Sequence, residues 1–399
     1  MMQKRLLVIA AGLLQKPVIE KAHELGYYVI AADGDSHAPG LEIADKGVVV
    51  NIRDKETMLK LAIEERIDGT IHPCSEVAMD VMGFINDRLG LPGNSEAVSV
   101  RATNKHLMRE AFKAYGAPSP KSFCFTSSED AWECFNNELL GNCILKPSRN
   151  SGSRGISKIH KGITKMQFEG QFNLSRDESR DNSVMLEQFI DGPEFSVEII
   201  VYNGTPYVLQ VTDKKTTEAP HFVELGHNQP SVFPKEIIEK LKDAAIKGVK
   251  ALKLVNCAAH AELKIMDGEP YIMEIGARLG GDFISTELTH LSTGIDMVAA
   301  AIDVALGIKP DFSIREQPRG VCIRYFCPKP GRLLSILNTE VLKDSRVYDQ
   351  NIYVQEGDII PEITSSLSRS GHVIVTEDNA KKAIELADML IREVKFVTE

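Results

Sequence analysis

Apolar runs and amphipathic stretches alternate regularly over the first hundred residues. A short apolar run is followed by an amphipathic stretch that opens on Pro17 and closes at Gly26, the usual punctuation of a helix between two buried strands. The alternation then repeats, which is typical of parallel strands connected by helices. The predicted strands lie at residues 5–11, 28–32, 48–52 and 69–73, and the predicted helices at 17–25 and 54–65. This region therefore predicts an open, doubly wound α/β layer.

The pattern changes after residue 100 and indicates further domains. Thr103 is placed to cap a helix that ends at Tyr115, and a Gly- and Pro-containing segment then breaks the chain. Short strands and helices follow, which is typical of an α+β unit, and Asn203-Gly204 between two apolar runs predicts a hairpin. The predicted boundaries are an α/β domain at 1–100, a helical linker at 101–120, a small α+β subdomain at 121–195, a central domain at 196–310 and a separate β-rich lobe at 311–399.

A second predicted hairpin carries two glutamates on opposite arms, around the turn signal Asp267-Gly268. Its alternating apolar residues are Ala261, Leu263 and Ile265 on one arm and Tyr271, Met273 and Ile275 on the other. With an odd loop centred on Gly268, Glu262 lies opposite Glu274, with Cβ atoms roughly 5 Å apart. Such a pair persists if one carboxylate is protonated or if a cation lies between them, and Mg²⁺ prefers such oxygen ligands. The alternative is an ordinary solvated hairpin face.

Composition narrows the classes of partner. The 399 residues are 43% hydrophobic, enough for several packed cores, and the net charge is -10. The absence of a basic run argues against a nucleic-acid partner, and seven scattered cysteines without a CxxC pair fit a reducing compartment. The apolar segment 6–14 is interpreted as a buried strand rather than a signal peptide, and no run approaches the roughly 20 residues of a membrane span. We therefore expect a cytoplasmic protein with no membrane partner.

Phosphate-binding signals are present, but they are not those of a dinucleotide fold. The turn after the first strand lacks GxGxxG, so NAD binding is disfavoured. Residues 146–157 combine a strand end with a Ser- and Gly-rich loop that carries Arg149 and Arg154, and the backbone amides of such a loop suit an anion. A flexible surface loop is the alternative, because small-residue loops are common. Taken singly, Lys105, Lys146 and Glu194 fit solvated surface positions.

In their order and spacing these segments resemble the ATP-grasp superfamily over almost the whole chain. The matching parts are an NKxxMR motif, an LKP strand end, the SGSRGIS loop, an EQFIDGPEFSVE hinge and the two hairpin glutamates. The resemblance implies a pre-grasp domain, a lid subdomain, a central antiparallel sheet and a C-terminal β-rich lobe, with ATP and Mg²⁺, or Mn²⁺ in its place, as cofactors. The implied sites are the ATP phosphates at Lys105 and Lys146; adenine at Glu187, Gln188, Phe189 and Ile190; ribose at Glu194; and the metal at Glu262 and Glu274. The loop residues Ser151, Gly152, Ser153, Gly155 and Ile156 are further expected contacts of the nucleotide, with residues 151–155 suited to cover its phosphates.

Two features of the hairpin exit bear on the chemistry. Relatives resembling biotin carboxylase carry an ExNxR pattern here, but Gly276 replaces the asparagine, which removes the side chain expected as a third metal ligand. Arg278 remains, and it presents a planar, permanently charged guanidinium to an anion. Phosphoryl transfer needs charge neutralisation and positioning more than a protein nucleophile, and Lys146, Arg154 and Arg278 are the side chains suited to supply it.

A further group is formed by ELGH at Glu224 to His227, within HFVELGHNQPS, and by RLGGD at Arg278 to Asp282. Together these segments resemble bacterial L-amino-acid ligases of the bacilysin-synthetase kind. The resemblance implies that Arg278 binds the substrate carboxylate or acyl phosphate, and that Glu224 attracts an ammonium group. It implies that His227 orients the substrate or stabilises the tetrahedral intermediate, the alternative being a hydrogen-bonded loop histidine. Gly281 would let the backbone approach closely, and Glu76 is a weaker candidate for the amino end.

The leading hypothesis is an ATP-dependent ligase that activates a carboxylate as an acyl phosphate and joins it to an amine. The substrates expected are two amino acids, and the products are a dipeptide, ADP and phosphate. One alternative is a purine-pathway or carboxyphosphate-forming enzyme that uses a one-carbon acid, and another is a non-catalytic nucleotide-binding module. A homodimer formed through the pre-grasp domain is a further expectation from the resemblance.

Overall fold

The computed structural model describes residues 3–138, 141–150, 154–218 and 221–399, and it begins with a parallel sheet. The strands of this sheet are β1 (Arg5–Ile9), β2 (Tyr28–Asp33), β3 (Lys46–Val49) and β4 (Gly69–Ile71), in the order β3-β2-β1-β4. The helices around it are α1 (Lys16–Glu24), α2 (Pro39–Ile43), α3 (Lys55–Glu65), α4 (Met79–Leu89) and α5 (Glu96–Thr103). Leu6 and Val8 of β1 face one core and Leu7 and Ile9 the other, so the sheet is covered on both sides. The predicted α/β layer is confirmed.

A small antiparallel sheet follows the helix α6 (Lys105–Tyr115). Its elements are β5 (Ser122–Phe125), α7 (Ser128–Glu138), β6 (Cys143–Pro147), β7 (Ser157–Ile159), α8 (Lys165–Asp177) and β8 (Val184–Gln188), with the strands in the order β5-β8-β6-β7. The aromatic rings of Trp132, Phe135 and Phe168 pack together between the helices and the sheet. This unit therefore has a hydrophobic core of its own, separate from the cores around the parallel sheet.

The predicted start of α6 at Thr103 is wrong. Thr103 is the last residue of α5, and Asn104 lies between the two helices in an extended conformation. The Asn104 side chain accepts a hydrogen bond from the Leu107 amide at 3.0 Å, which satisfies one of the free donors at the start of α6. Asn104 also accepts from the Ser148 hydroxyl, so the cap connects α6 to the small antiparallel sheet.

The central part of the chain forms a long antiparallel sheet with helices packed against it. Its elements are β9 (Glu194–Tyr202), β10 (Thr205–Thr216), β11 (Glu224–Gln229), α9 (Lys235–Leu252), β12 (Cys257–Met266), β13 (Glu269–Gly276), α10 (Thr289–Thr293) and α11 (Met297–Ala305), with a π-helical turn at Ile284–Leu288. The hairpin predicted at Asn203-Gly204 is confirmed. Both turn residues have positive φ, 48° and 74°, as a two-residue hairpin turn requires.

The C-terminal region is rich in strands, as predicted, but it is not a separate sheet. Its elements are β14 (Gly320–Phe326), β15 (Gly331–Leu337), β16 (Val347–Ile352), β17 (Ile359–Ile360), β18 (Gly371–Glu377), α12 (Ala380–Glu393) and β19 (Lys395–Thr398). Strand β14 pairs with β11, and the large sheet runs in the order β13-β12-β9-β10-β11-β14-β18-β16. Strands β17, β15 and β19 form a small sheet beside it. Strand pairing across residues 227 and 323 has no local sequence signal, so the separation expected from the pattern was wrong.

A shared hydrophobic core holds the N-terminal layer against the central sheet. Leu7 of β1, Phe112 of α6, Val197 of β9 and Val249 of α9 belong to one continuous buried cluster. The two parts of the molecule therefore bury apolar surface against each other, which fixes the edge of the parallel sheet relative to the hairpin β12-β13. None of the helices in the described ranges has the length and apolar content that crossing a bilayer requires.

We predict that replacing Asn104 by alanine lowers the free energy of unfolding by about 1 kcal/mol, because the start of α6 loses its cap. The replacement Asn104→Ser should retain most of the stability, since a serine hydroxyl accepts the same hydrogen bond. Urea unfolding followed by circular dichroism measures both. Equal stability of the alanine and serine variants would contradict the capping role.

Candidate active site

A cleft of about 320 Å³ lies where the N-terminal layer, the small antiparallel sheet and the central sheet meet. Its lining includes both charged and apolar side chains. Of the residues predicted from the sequence, those that line it are Glu76, Lys105, Lys146, Arg154, Ile156, Glu187, Phe189, Ile190, Glu194, Glu224, Glu262, Glu274 and Arg278. The fold therefore brings residues far apart in the sequence into one site.

Glu262 and Glu274 lie directly opposite each other on β12 and β13, as predicted, although the turn differs from the expected one. The connection is a two-residue turn at Asp267-Gly268, which by itself would shift the pairing by one residue. A β-bulge between Glu262 and Leu263 compensates for that shift and restores the pair. The bulge also corrects the predicted apolar pattern, because Ile272 is buried in the core while Met273 turns into the cleft.

Lysine side chains approach both of these carboxylates. Lys105 Nζ lies 3.0 Å from Glu274 Oε1 and 2.9 Å from the Asn150 carbonyl oxygen, which accepts its hydrogen bond. Burial opposes the charge on Lys105, but Glu274 and Glu76 raise the pKa of its ammonium group above the ordinary value. Lys105 is therefore a buried cation in direct contact with Glu274, one member of the glutamate pair.

Lys146 belongs to a second buried ion pair. Its Nζ lies 2.7 Å from Glu187 Oε2, and Arg109 Nε donates to Glu187 Oε1 at 2.8 Å. Burial opposes the charge on Glu187, but Arg109 and Lys146 hold its pKa at about 2. Glu187 pairs through its backbone with both β5 and β6, and the Phe189 amide donates to the Asn142 carbonyl. The side chain of Glu187 is therefore engaged in holding Lys146. The adenine contacts expected at residues 187–190 would have to come from the other groups of this segment.

Lys214 is central to the site, and the sequence did not reveal it. Its Nζ lies 2.8 Å from Glu194, 3.1 Å from Glu262 and 3.6 Å from Glu224, and its side chain is 3% exposed. Burial alone would lower the pKa of Lys214, but the three carboxylates raise it well above the ordinary value. In return, Lys214 holds the pKa of Glu262 well below its usual range. One buried ammonium thus joins the carboxylates predicted for ribose, metal and substrate.

His260 is another site residue that the sequence did not single out. Its Nδ1 lies 2.9 Å from Glu198 Oε1 and its Nε2 lies 3.5 Å from Glu262 Oε1. Burial disfavours the charged ring, but Glu198 and then Glu262 raise the pKa of His260 to about 9. At neutral pH the ring is therefore a cation that fixes the side chain of Glu262 from behind.

Arg278 lines the cleft beside Glu76. Its Nη1 donates to the Leu279 carbonyl oxygen at 3.1 Å, and its Nη2 lies 3.6 Å from Glu76 Oε1. Burial, and then Glu274, raises the pKa of Glu76. The guanidinium lies back over Gly276, where a Cβ atom would come within 3.2 Å of its Cζ and Nε. The glycine that departs from the family pattern therefore makes room for the arginine.

Several predicted residues lie outside the lining of this cleft. His227 is 1% exposed, and its Nε2 lies 3.4 Å from Asp282 Oδ2, while Arg369 binds Asp282 through two contacts of 2.8 Å. Gly281 is not in the lining either, and a Cβ there would meet no protein atom within 4 Å. Gly155 and Gln188 are also absent from the lining. Ser151, Gly152 and Ser153 lie outside the described residues.

Glu262 and Glu274 are better suited to a cation that is also bound by an anionic ligand than to a metal site made of protein ligands alone. Within the described ranges, no three or more His, Cys, Asp or Glu side chains are grouped to hold a metal ion. Glu262 and Glu274 form a pair of oxygen ligands, and a hard cation would need further oxygens from outside the chain. This agrees with the missing side chain at Gly276.

Residues 140–287 match the ATP-grasp domain family, and residues 324–399 match the family described as L-amino acid ligase C-terminal domain 2. The chain carries an ATP-grasp domain. Carnosine synthase 1 of Homo sapiens is 23% identical over 84% of this chain and 44% of that protein, and alanine--anticapsin ligase of Bacillus subtilis (strain 168) is 28% identical over 64% and 58%. The chain thus spans about half the length of these two relatives.

Solved structures extend the similarity of the ATP-grasp domain to the complete fold. The L-amino acid ligase from Bacillus licheniformis has a TM-score of 0.83 and 23% identity over 100% of this chain and 99% of that one. The phosphoribosylglycinamide synthetase from Anaerococcus prevotii has a TM-score of 0.78 and 26% identity over 100% of both chains. The ATP-grasp fold predicted from the sequence is confirmed.

We predict that Lys214→Met lowers the free energy of unfolding by about 3 kcal/mol or more at neutral pH, because three carboxylates lose their shared buried cation. The loss should shrink as the pH falls toward 4, where protonation of the freed carboxylates relieves their repulsion. The matched control is Lys215→Met on the same strand. Lys215 is 53% exposed and pairs with Asp388 at 3.7 Å, so its loss should cost less than about 1 kcal/mol. Similar losses in both variants would contradict the central role of Lys214.

We also predict that the stability of the protein without ligands falls by about 3 kcal/mol between pH 6.5 and 9, because the folded state retains a proton on His260 whose pKa is raised from 6.5 to about 9. This contribution is complete below pH 6.5 and is lost as the pH rises through the folded value. Denaturant unfolding at several pH values measures it. The fall in the free energy of unfolding with rising pH should be smaller in His260→Gln and unchanged in the control His37→Gln, whose side chain is 92% exposed. A parent protein equally stable across this window would refute the prediction.

Proposed function

We propose that the chain is an ATP-dependent carboxylate-amine ligase that joins two amino acids. The observation that carries the proposal is the opposed pair Glu262 and Glu274 in a cleft that also holds the cations Lys105, Lys146 and Arg278. Oxygen ligands for a hard cation beside clustered cationic side chains suit the transfer of a phosphoryl group between anions. The ATP-grasp domain and the L-amino acid ligase C-terminal domain support the same activity.

The lining of the cleft has side chains suited to each part of the nucleotide. Its apolar members are Ile144, Ile156, Phe189, Ile190 and Met273, which suit a purine ring. Glu194 also lines the cleft, and a carboxylate can accept hydrogen bonds from ribose hydroxyls. We assign the phosphates to the cationic side chains of the lining.

Lys105 and Lys146 are assigned to the phosphates, with Arg154 in the lining beside them. Because both lysines are paired with carboxylates in the structure, phosphates would draw them away from Glu274 and Glu187. Glu262 and Glu274 would then hold Mg²⁺, or Mn²⁺ in its place, which supplies charge neutralisation between the phosphate oxygens. This exchange keeps every buried charge paired before and after binding.

The reaction needs no nucleophile from the protein. An oxygen of the substrate carboxylate attacks the γ-phosphorus and ADP leaves, which gives an acyl phosphate; the amine then attacks the acyl carbon and phosphate leaves. Arg278 is assigned to the carboxylate and the acyl phosphate, and Glu76 and Glu224 to ammonium groups, since all three line the cleft. His227 is buried against Asp282, so we assign it to positioning the segment after Gly281 rather than to direct contact.

A second candidate activity is the ligation of a different carboxylate to an amine, as in purine-pathway enzymes. The full-length similarity to the phosphoribosylglycinamide synthetase favours it. The names of carnosine synthase 1 and alanine--anticapsin ligase favour amino acids instead. A homodimer stays a separate prediction, which analytical ultracentrifugation tests.

We predict ATP-dependent release of phosphate when pairs of free amino acids are supplied, with a product mass equal to the two amino acids minus water. Release that depends on formate or bicarbonate would instead support the second candidate. Tight binding of ATP without turnover under any of these conditions would indicate a non-catalytic nucleotide-binding module.

We expect Glu274→Ala to lose phosphate release by about a hundred-fold or more while ATP binding is retained, because the developing charge loses its stabilisation. The matched control is Glu269→Ala on the same hairpin. Glu269 is exposed and pairs with Lys240 at 2.8 Å, so its removal should leave turnover intact. Full turnover in Glu274→Ala would remove the assignment of the glutamate pair.

A further inference from the structure

A second, smaller cavity of about 30 Å³ also has Arg278 in its lining. Three residues of its lining carry a buried polar atom that has no hydrogen-bond partner among the residues the structure describes. These atoms are His72 Nε2, Asn94 Nδ2 and Arg278 Nε. Buried polar atoms are normally paired with protein or with ordered water, so three in one cavity call for a common partner.

The chemistry of each atom follows from its neighbours. His72 Nδ1 lies 2.6 Å from the Ile9 carbonyl oxygen, which can only accept, so Nδ1 carries the proton and donates. Burial lowers the pKa of His72 to about 4, so the ring is neutral and its Nε2 is an acceptor.

Asn94 and Arg278 present donors to the same cavity. Asn94 Oδ1 accepts from the Val255 amide at 2.9 Å, which orients the side-chain amide so that Nδ2 is the donor, with the weakly accepting sulfur of Cys257 beside it. Arg278 Nε carries a hydrogen at all relevant pH values, since a guanidinium is permanently charged. The cavity is therefore lined by two donors and one acceptor.

We propose that one ordered water molecule occupies this cavity and that His72 is a positioning residue for Arg278. The water accepts hydrogen bonds from Arg278 Nε and Asn94 Nδ2 and donates one to His72 Nε2. Three bonds are the usual number for a buried water, and the volume is sufficient to hold it. His72 directly follows β4, so the carboxyl edge of the N-terminal sheet holds the arginine of the cleft through this water.

Two further contacts leave Arg278 dependent on the water. Nη1 donates to the Leu279 carbonyl, and Nη2 faces Glu76 at 3.6 Å, which is longer than a hydrogen bond. Gly276 supplies no side chain beside the guanidinium. Nε is thus the remaining nitrogen through which a hydrogen bond can fix the orientation of the guanidinium plane.

The first test is structural and needs no activity. A high-resolution crystal structure of the ligand-free full-length protein should show one ordered water within hydrogen-bond distance of His72 Nε2, Asn94 Nδ2 and Arg278 Nε. A dry cavity, or Arg278 Nε bonded to a protein atom, would overturn the proposal. Because this readout is independent of turnover, it stands even if the proposed ligase activity fails.

The second test rests on the proposed function and uses two reciprocal variants. His72→Asn keeps a donor for the Ile9 carbonyl but removes the acceptor at the Nε2 position, whereas His72→Gln carries an amide oxygen to that position and gives up the donor. We expect His72→Asn to lower kcat for amino-acid-dependent phosphate release by about ten- to a hundred-fold, with KM for ATP unchanged, because Arg278 is misplaced. His72→Gln should restore most of kcat.

A purely structural role for His72 gives a different pattern. If the bond to Ile9 is what matters, His72→Gln should be the more damaged variant, in thermal unfolding as well as in kcat. That result, or parent-like kcat in His72→Asn, would refute the positioning role. Thermal unfolding of both variants establishes that each is folded under the assay conditions.

Discussion

The rest of the site depends on one constraint, the repulsion among closely spaced, half-buried carboxylates in the cleft. Glu194, Glu224 and Glu262 approach one another closely enough that each contacts the single ammonium of Lys214. Buried charges are tolerated only when they are paired, so the cations have to be supplied by the fold. They come from α6, β6 and β10, and the site therefore exists only when the three parts of the molecule are assembled around it.

The same balance explains how the site can exchange one set of ions for another. Lys105 contacts Glu274 and Lys214 contacts Glu262, the two predicted metal ligands. An incoming polyphosphate would compete for Lys105, and Glu274 would then need a replacement cation. On the proposed function, nucleotide and divalent cation are therefore expected to favour each other's binding, because either one alone leaves a buried charge without its partner. A pair of glutamates without a third protein ligand is suited to this linkage, since its affinity for cation depends on the phosphates.

Local sequence patterns were sufficient for the parallel layer and for the positions of the two hairpin turns, but not for strand register. The opposition of Glu262 and Glu274 was predicted with a different turn and depends on the bulge between Glu262 and Leu263. Lys214 lies opposite Glu194 only because a bulge between Val208 and Gln210 shifts the pairing by one residue after the Asn203-Gly204 turn. A bulge arises from packing of the whole sheet and leaves no reliable local signal. The union of the C-terminal strands with the central sheet through β14 and β11 is equally non-local. Motifs therefore identified the carboxylates together with Lys105, Lys146 and Arg278, whereas the tertiary structure was needed to identify Lys214 and His260, the two cations that contact Glu262.

The departure at Gly276 bears on both the expected metal site and the packing of Arg278. A Cβ at this position would be in tight contact with the Arg278 guanidinium, which lies over the glycine. The missing side chain is the one that the resemblance led us to expect as a third metal ligand, and Arg278 lines a cavity that also includes His72 and Asn94. These residues are about two hundred positions from Arg278 in the sequence, and each is unremarkable alone. Their unpaired nitrogens become informative only when the tautomer of His72 and the amide orientation of Asn94 are deduced from Ile9 and Val255. Because buried polar atoms need hydrogen-bond partners, residues that do not line the cleft, such as His72 and Asn94, can still help to position the side chains that do.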